Sequence, residues 1–297
     1  MLRRRVACRL AVLGVVGTLA VTTSACGRPS QIAGSAFDAP AASVSVPPAT
    51  TPPPSARPGG TSAAPSTSSS VPPAPKGKPA PPPGRVIVLD PGHNGGNGSH
   101  PAEINRQVPA GRGKTKPCNT TGTATNAGYP EHAFTWDVTS RVRDLLTARG
   151  VRVVMTRTSD TGVGPCVDER AAIGNRENAS AVVSIHADGS TSAGAHGFHV
   201  AYSAPPLNAA QGEPSQRLAR VLRDGLRQSG IAVSNYIGSD GLSPRDDLAG
   251  LNLSERPAVL VECGNMRDAA EAATLSSADG RQRYAAAIAD AILGYLA

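Results

Sequence analysis

The sequence predicts an α/β fold: a twisted, mostly parallel sheet flanked by helices on both faces, in a single domain spanning 85–297. Three observations carry this. Short apolar runs of strand length alternate with stretches whose apolar residues recur at helical spacing. The regular pattern begins abruptly at Arg85, after a segment (27–84) that holds 16 of the 27 prolines. Three of the strand-like runs lead directly into His, Asp or Glu, as expected where the carboxyl ends of parallel strands form a binding edge.

The elements follow in order. Val86, Ile87, Val88 and Leu89 read as a buried strand. Phe134, Val138, Val142, Leu145 and Leu146 form the stripe of a helix that Gly150 closes. The next strand is 151–155, and 168 to about 178 is a helix. Two more strands are 181–185 and 198–202. Leu218, Val221, Leu222 and Leu226 mark a helix ending near Gly230. A further strand lies at 258–261, and Tyr284, Ile288, Ile292 and Leu296 stripe a C-terminal helix.

The segment before Arg85 has a different logic. Arg3, Arg4 and Arg5 precede an apolar run at 10–21, and Thr23, Ser24 and Ala25 precede Cys26. This is the layout of a bacterial secretory signal over 1–25, so the chain is expected to be exported. A Cys after such a signal is the lipid-bearing position of a lipoprotein, which makes Cys26 the expected anchor to the outer face of the cytoplasmic membrane. Thr23 stands where such signals usually carry Leu, and cleavage after Ala25 with a plain Cys26 is the alternative. Residues 26–84 are Pro, Ser, Ala and Thr, too poor in apolar surface to offset their conformational entropy. They predict a disordered tether, extended to at most about 180 Å.

Charge divides in the same way. The formal +7 comes from the first 84 residues, with four Arg in 1–25 and a further excess of three cations in 26–84. Residues 85–297 carry 21 basic and 21 acidic side chains. The folded part is neutral, with no bulk attraction to nucleic acid. The apolar run at 10–21 is too short to span a bilayer, which excludes a multi-pass membrane protein.

The chemistry lies at strand ends. The first strand runs into Asp90, Pro91, Gly92 and His93, the 181–185 strand into His186, Ala187 and Asp188, and the 258–261 strand into Glu262, Cys263, Gly264 and Asn265. If these strands are parallel neighbours, two imidazoles and a carboxylate converge on one edge. Glu131, opening a helix after Tyr129 and Pro130, is a fourth candidate. Two His and one Glu form a catalytic zinc set that leaves the fourth position for water. The spacing alone is no signature, and single His residues commonly serve as core or surface groups.

The words around these residues are more specific. Val-Leu-Asp-Pro-Gly-His at 88–93, Thr-Arg-x-x-Asp at 156–160, the helix with Arg170 and Asn175, Ser-Ile-His-Ala-Asp at 184–188 and Pro-Ala-Val-Leu-Val-Glu at 257–262 occur in order, each after a strand or on a helix. In this the region 85–297 resembles the type 3 family of zinc-dependent N-acetylmuramoyl-L-alanine amidases, bacterial cell-wall hydrolases. Gly-Tyr-Pro-Glu-His at 128–132 and the two nearby cysteines are similar to its actinobacterial members. The resemblance implies one Zn2+ held by His93, Glu131 and His186, with Glu262 as the catalytic carboxylate. It implies a peptidoglycan or muropeptide substrate, cut at the amide between N-acetylmuramic acid and the first L-Ala. Asn94 departs from the Gly that often follows the first His, and 94–130 is a long Gly/Thr-rich insertion.

Other residues read as structural. Glu103 is a competing carboxylate in a loop-like context. His132 faces elsewhere, His100 lies in a loop, and His196 and His199 line or cap the sheet. Asp188 either orients His186 or closes a turn. Arg157 with Asp160, and Arg170 with Asn175, read as turn and helix supports. The Gly-rich 94–98 stretch lacks the Lys-Ser/Thr ending of a phosphate loop. In an exported chain Cys118 and Cys166 are expected to form a disulfide, while Cys263 is a buried free thiol. The expected protein is a monomer touching the membrane only through its N-terminal lipid. The rival readings are a zinc peptidase cutting within the stem peptide and an inactive, wall-binding or regulatory relative.

Overall fold

A computed structural model describes residues 85–297. The signal, the tether and Cys26 lie outside the described residues. In chain order the elements are β1 (Val86–Pro91), α1 (Pro101–Ile104), β2 (Gln107–Gly111), β3 (Lys114–Pro117), α2 (Glu131–Thr147), β4 (Arg152–Met155), α3 (Val167–Arg176) and β5 (Ala181–Asp188). They continue with β6 (His199–Ser203), α4 (Glu213–Gln228), β7 (Leu242–Arg245), α5 (Ala249–Asn252), β8 (Ala258–Asn265), α6 (Ala269–Ser276) and α7 (Ala278–Leu296).

Six strands form one sheet in the order β4-β1-β5-β8-β6-β7. The first four are mutually parallel, β6 opposes β8, and β7 runs parallel to β6. The predicted mostly parallel sheet with helices on both faces is therefore present. The β1, β5 and β8 strands, each leading into chemistry, are direct neighbours.

Strand alternation divides the core in two. Ile87, Leu89, Val183, Ile185, Val259 and Val261 point to the face covered by α2, α4 and α7. Phe134, Val138, Val142 and Leu146 of α2 are fully buried there, each worth roughly 1.5–3 kcal/mol relative to exposure. The α7 helix packs between α2 and α4. Val88, Val182, Ala201 and Ala258 point the other way, under α3 and α5. That cover is thin, and the functional groups lie on this face.

The structure also differs from the sequence reading. The 181–185 and 258–261 strands run on through Asp188 and Asn265, so His186 and Glu262 are on strands rather than after them. The β5–β8 ladder continues past both, with an irregularity only between His186 and Asp188. The β2–β3 hairpin occupies the 94–130 insertion, where no strand was expected. Only Val108 and Ala110 of β2 are buried, so there was no apolar run to find. Arg112 at its tip donates to Asn252 and Ser203, which docks the hairpin against the thin face. The short β7 and the α6 helix were likewise unanticipated. Among the described residues no helix is long and apolar enough to cross a membrane.

Candidate active site

The strand register assembles the site. On β5, His186 lies directly opposite Glu262 of β8, and Ser184 opposite Asp90 of β1. Alternation places all four side chains on the α3/α5 face. Past Pro91 the chain turns through Gly92, where a Cβ would fall 2.2 Å from His186 Cε1. No side chain fits there, and this closeness lets the first turn pass beside the His186 ring.

His93 follows with a left-handed backbone (φ 57), a strained setting for a non-glycine residue. Two guanidiniums fix it. Arg170 donates to the carbonyls of Pro91, His93 and Gly164, and to Asp90 Oδ1. Arg157 donates to the carbonyls of Pro91, Gly92 and His132, tying the turn to the start of α2. Both Arg are buried.

Glu131 opens α2 and is only 4% exposed. Its Oε2 accepts from the Thr123 amide at 2.9 Å and its Oε1 from the Ala187 amide at 3.1 Å. The same oxygens face the two imidazoles: Oε1 lies 2.9 Å from His186 Nδ1, and Oε2 lies 3.2 Å from His93 Nε2. The rings meet edge to face with centroids 4.8 Å apart. Gly122 (φ 78) lets the loop approach, since a Cβ there would sit 2.8 Å from Glu131 Oε2. One donor atom from each of His93, Glu131 and His186 lies within 4.8 Å of the others.

His93 Nδ1 is 3.1 Å from the Thr120 carbonyl, which can only accept. That contact fixes the ring and turns Nε2 towards Glu131 Oε2. Thr120 follows closely on Cys118, which is disulfide-bonded to Cys166 at the head of α3. The bridge thus joins the segment that orients His93 to the helix that carries Arg170.

Glu262 lies beside the cluster. Burial pushes its carboxyl well above the usual range; Glu131 and Asp188 push the same way and Arg245 opposes them. Its Oε2 is buried with no hydrogen-bond partner among the described residues. Burial also works against ionisation of Glu131, but the two imidazoles outweigh it and hold that carboxyl far below the usual range. Two neighbouring carboxylates are thereby pushed apart, one kept charged and one able to hold a proton. A cavity of about 430 Å³ runs from this cluster along the thin face, lined among others by Lys116, Val182, Leu251 and Leu260.

The remaining candidates fall elsewhere. Glu103 is exposed on α1 and His100 is exposed beside it. His132 Nδ1 pairs with Asp160 at 2.8 Å, and Asp160 also receives Arg157. Asp188 accepts the Tyr236 hydroxyl at 2.7 Å, while His186 takes its orientation from Glu131. Asn94 donates to the Gly164 carbonyl. His196 is exposed, His199 is buried under Tyr236, and Cys263 is a buried free thiol. Arg157 and Arg170 do more than close a turn and a helix, because their bonds go to the backbone of the cluster itself. No pattern in sequence marks a side chain destined for distant carbonyls.

Cleaving an acyl–nitrogen bond with water takes a group that can accept and return a proton beside a site that can bear negative charge. Glu262 and the neighbouring donor cluster are an arrangement suited to such a hydrolysis. The chain belongs to the N-acetylmuramoyl-L-alanine amidase family, whose profile matches residues 87–294. The amidase Rv3717 of Mycobacterium tuberculosis is 55% identical over 214 residues, spanning 72% of this chain and 87% of that protein. Crystalline Ami1, the amidase of Mycobacterium smegmatis, aligns with a TM-score of 0.70 and 56% identity over 74% of this chain and 99% of its own. AmiA of Escherichia coli is 28% identical over 244 residues, 71% of this chain and 76% of that protein.

Proposed function

We propose that this protein is a zinc-dependent N-acetylmuramoyl-L-alanine amidase of the cell envelope. It hydrolyses the amide between the lactyl group of N-acetylmuramic acid and the L-Ala that begins the stem peptide. The observation that carries this reading is the convergence of His93, Glu131 and His186 beside Glu262.

The residues fit a zinc ion. Two neutral imidazoles and one carboxylate are borderline donors that leave a position for water. The Thr120 carbonyl holds the His93 ring with Nε2 turned towards Glu131 Oε2. Bound there, zinc supplies a water acidified towards a pKa of about 7 and positive charge for the developing oxyanion.

The chain's own residues do the rest. Glu131 and the two imidazoles keep their places through Thr123, Ala187 and Thr120. Glu262 takes a proton from the attacking water as its oxygen bonds to the carbonyl carbon. It then gives that proton to the nitrogen as the carbon–nitrogen bond breaks. A carboxyl pushed above its usual range by burial is suited to both halves of this transfer. The cavity on the α3/α5 face holds the substrate beside these groups.

Export by the 1–25 signal, anchoring through an acylated Cys26 and a spacer at 26–84 would bring a monomeric enzyme to the wall. Intact-mass measurement of the mature protein tests the anchor, and an unmodified Cys26 refutes it. The reaction is tested with zinc analysis of the purified protein and a defined muropeptide. One equivalent of zinc and release of a sugar-free peptide beginning with L-Ala are expected. His93→Ala should lose both. Cleavage within the peptide would establish a peptidase instead, and zinc without turnover an inactive relative.

A further inference from the structure

The residue facing Glu262 from the other side is His199. The β6 strand runs antiparallel to β8, and the register sets His199 directly opposite Glu262. Side chains so opposed have Cβ atoms about 4.5–5.5 Å apart. Both lie on the α3/α5 face, because Ala201 and Leu260, two residues along each strand, belong to the smaller core there.

His199 is 2% exposed, and its Nδ1 is buried with no hydrogen-bond partner among the described residues. Glu262 Oε2 is in the same condition. Nearly all buried polar atoms find partners, so two orphans on facing residues, one able to donate and one to accept, call for an explanation. The groups around them are committed. Tyr236 lies edge-on to the imidazole, with centroids 6.4 Å apart, and gives its hydroxyl to Asp188. Arg245 gives its guanidinium to Asp247.

We infer that His199 is the positioning residue of Glu262: the two atoms lie beyond hydrogen-bonding distance in this structure, and a turn of the Glu262 carboxyl towards β6 brings Oε2 to the Nδ1–H and leaves Oε1 facing the cavity. This rests on Glu262 being the base of the amidase reaction. An uncharged donor is what that task requires. A cation beside Glu262 would strongly depress its proton affinity, whereas a neutral imidazole orients the carboxylate and weakens it far less as a base. Burial pulls the imidazole down to about 4, with Asp188 opposing and Arg245 assisting, so it is uncharged at neutral pH.

Substitutions that separate the two ring nitrogens test this. Asn places an amide nitrogen near the position of Nδ1, and Gln places one near Nε2. Zinc-loaded wild type, His199→Asn, His199→Gln and His199→Ala are compared on a soluble N-acetylmuramoyl peptide, with zinc content and melting temperature measured for each. His199→Ala and His199→Gln should lower kcat about 10- to 100-fold, the effect of one hydrogen bond to a charged group, and leave KM and zinc content in place. His199→Asn should recover most of the loss. Full kcat in His199→Ala, equal losses in His199→Asn and His199→Gln, or a change in KM alone would overturn the inference. If His199→Ala does not fold, the Asn and Gln pair still decides. An active wild type with an inactive Glu262→Gln tests the base itself, so the two assignments fail separately.

Discussion

Arg170→Met removes the guanidinium that supports the His93 turn while keeping most of the side chain's apolar length. Arg170 is 5% exposed and reaches Asp90 Oδ1 at 2.5 Å, the Pro91 carbonyl at 2.7 Å, the His93 carbonyl at 2.8 Å and the Gly164 carbonyl at 3.0 Å. Burial alone would raise the Asp90 carboxyl. Arg170, with Ser184 and Thr156, instead lowers it from the ordinary 3.8 to about 2. That gap corresponds to about 2 kcal/mol of stability at neutral pH. The variant leaves the carboxylate buried without its cation, and breaking such a pair from one side costs about 3–5 kcal/mol. Urea unfolding at neutral pH should therefore fall by about that amount. Folding depresses this pKa, so the stabilisation is complete above 3.8 and is lost as pH falls through about 2. The wild type should lose it across that window, and the variant has little of it to lose. Asp90→Asn combined with Arg170→Met should recover part of the deficit, because neither charge is then buried alone. Zinc affinity should drop about 10- to 100-fold as the His93 carbonyl is released. A loss under about 1 kcal/mol with zinc affinity unchanged would refute the reasoning.

Three other outcomes are expected. Glu262→Gln keeps the shape but cannot hold the transferred proton; muropeptide turnover should fall about 10²- to 10⁴-fold at constant zinc content, and substantial hydrolysis would reassign the base. Gly92→Ala places a Cβ 2.2 Å from His186 Cε1, so the ring must leave the cluster; chelator competition should show weakened zinc binding, and wild-type affinity would count against the geometry. Reducing the Cys118–Cys166 bridge opens a 48-residue loop and should destabilise by about 4 kcal/mol on the chain-entropy account. It should also loosen Thr120 and lower zinc affinity; melting and zinc titration with and without a reductant check both.

Much of the architecture was legible because buried parallel strands are continuous apolar words. The runs at Val86, Ala181 and Ala258 announced β1, β5 and β8, and each led into a residue that the register then brought to one edge. Glu131 was legible for a different reason, as the first residue of a helix after Pro130. What stayed hidden lacks periodicity. The β2–β3 hairpin is short and buries only Val108 and Ala110, and Arg112 and a disulfide help to hold it. Arg157 and Arg170 act through carbonyl oxygens, which every residue carries and no sequence pattern marks.

The same register argument explains why the chemistry gathers on the thinner of the two faces. His186, Glu262 and His199 occupy successive strands in one transverse row, and Asp90 with Ser184 forms the row beside it. On the opposite face the equivalent positions are filled by apolar side chains under three long helices, where a charged group would pay heavily in lost hydration. Covered by α3, α5 and the hairpin alone, the functional row keeps a cavity open to it. Thickening that cover would bury Glu262 without an exit for its proton. On the proposed reaction, the short α5 and the small hairpin therefore serve the site as directly as the strands that carry the row.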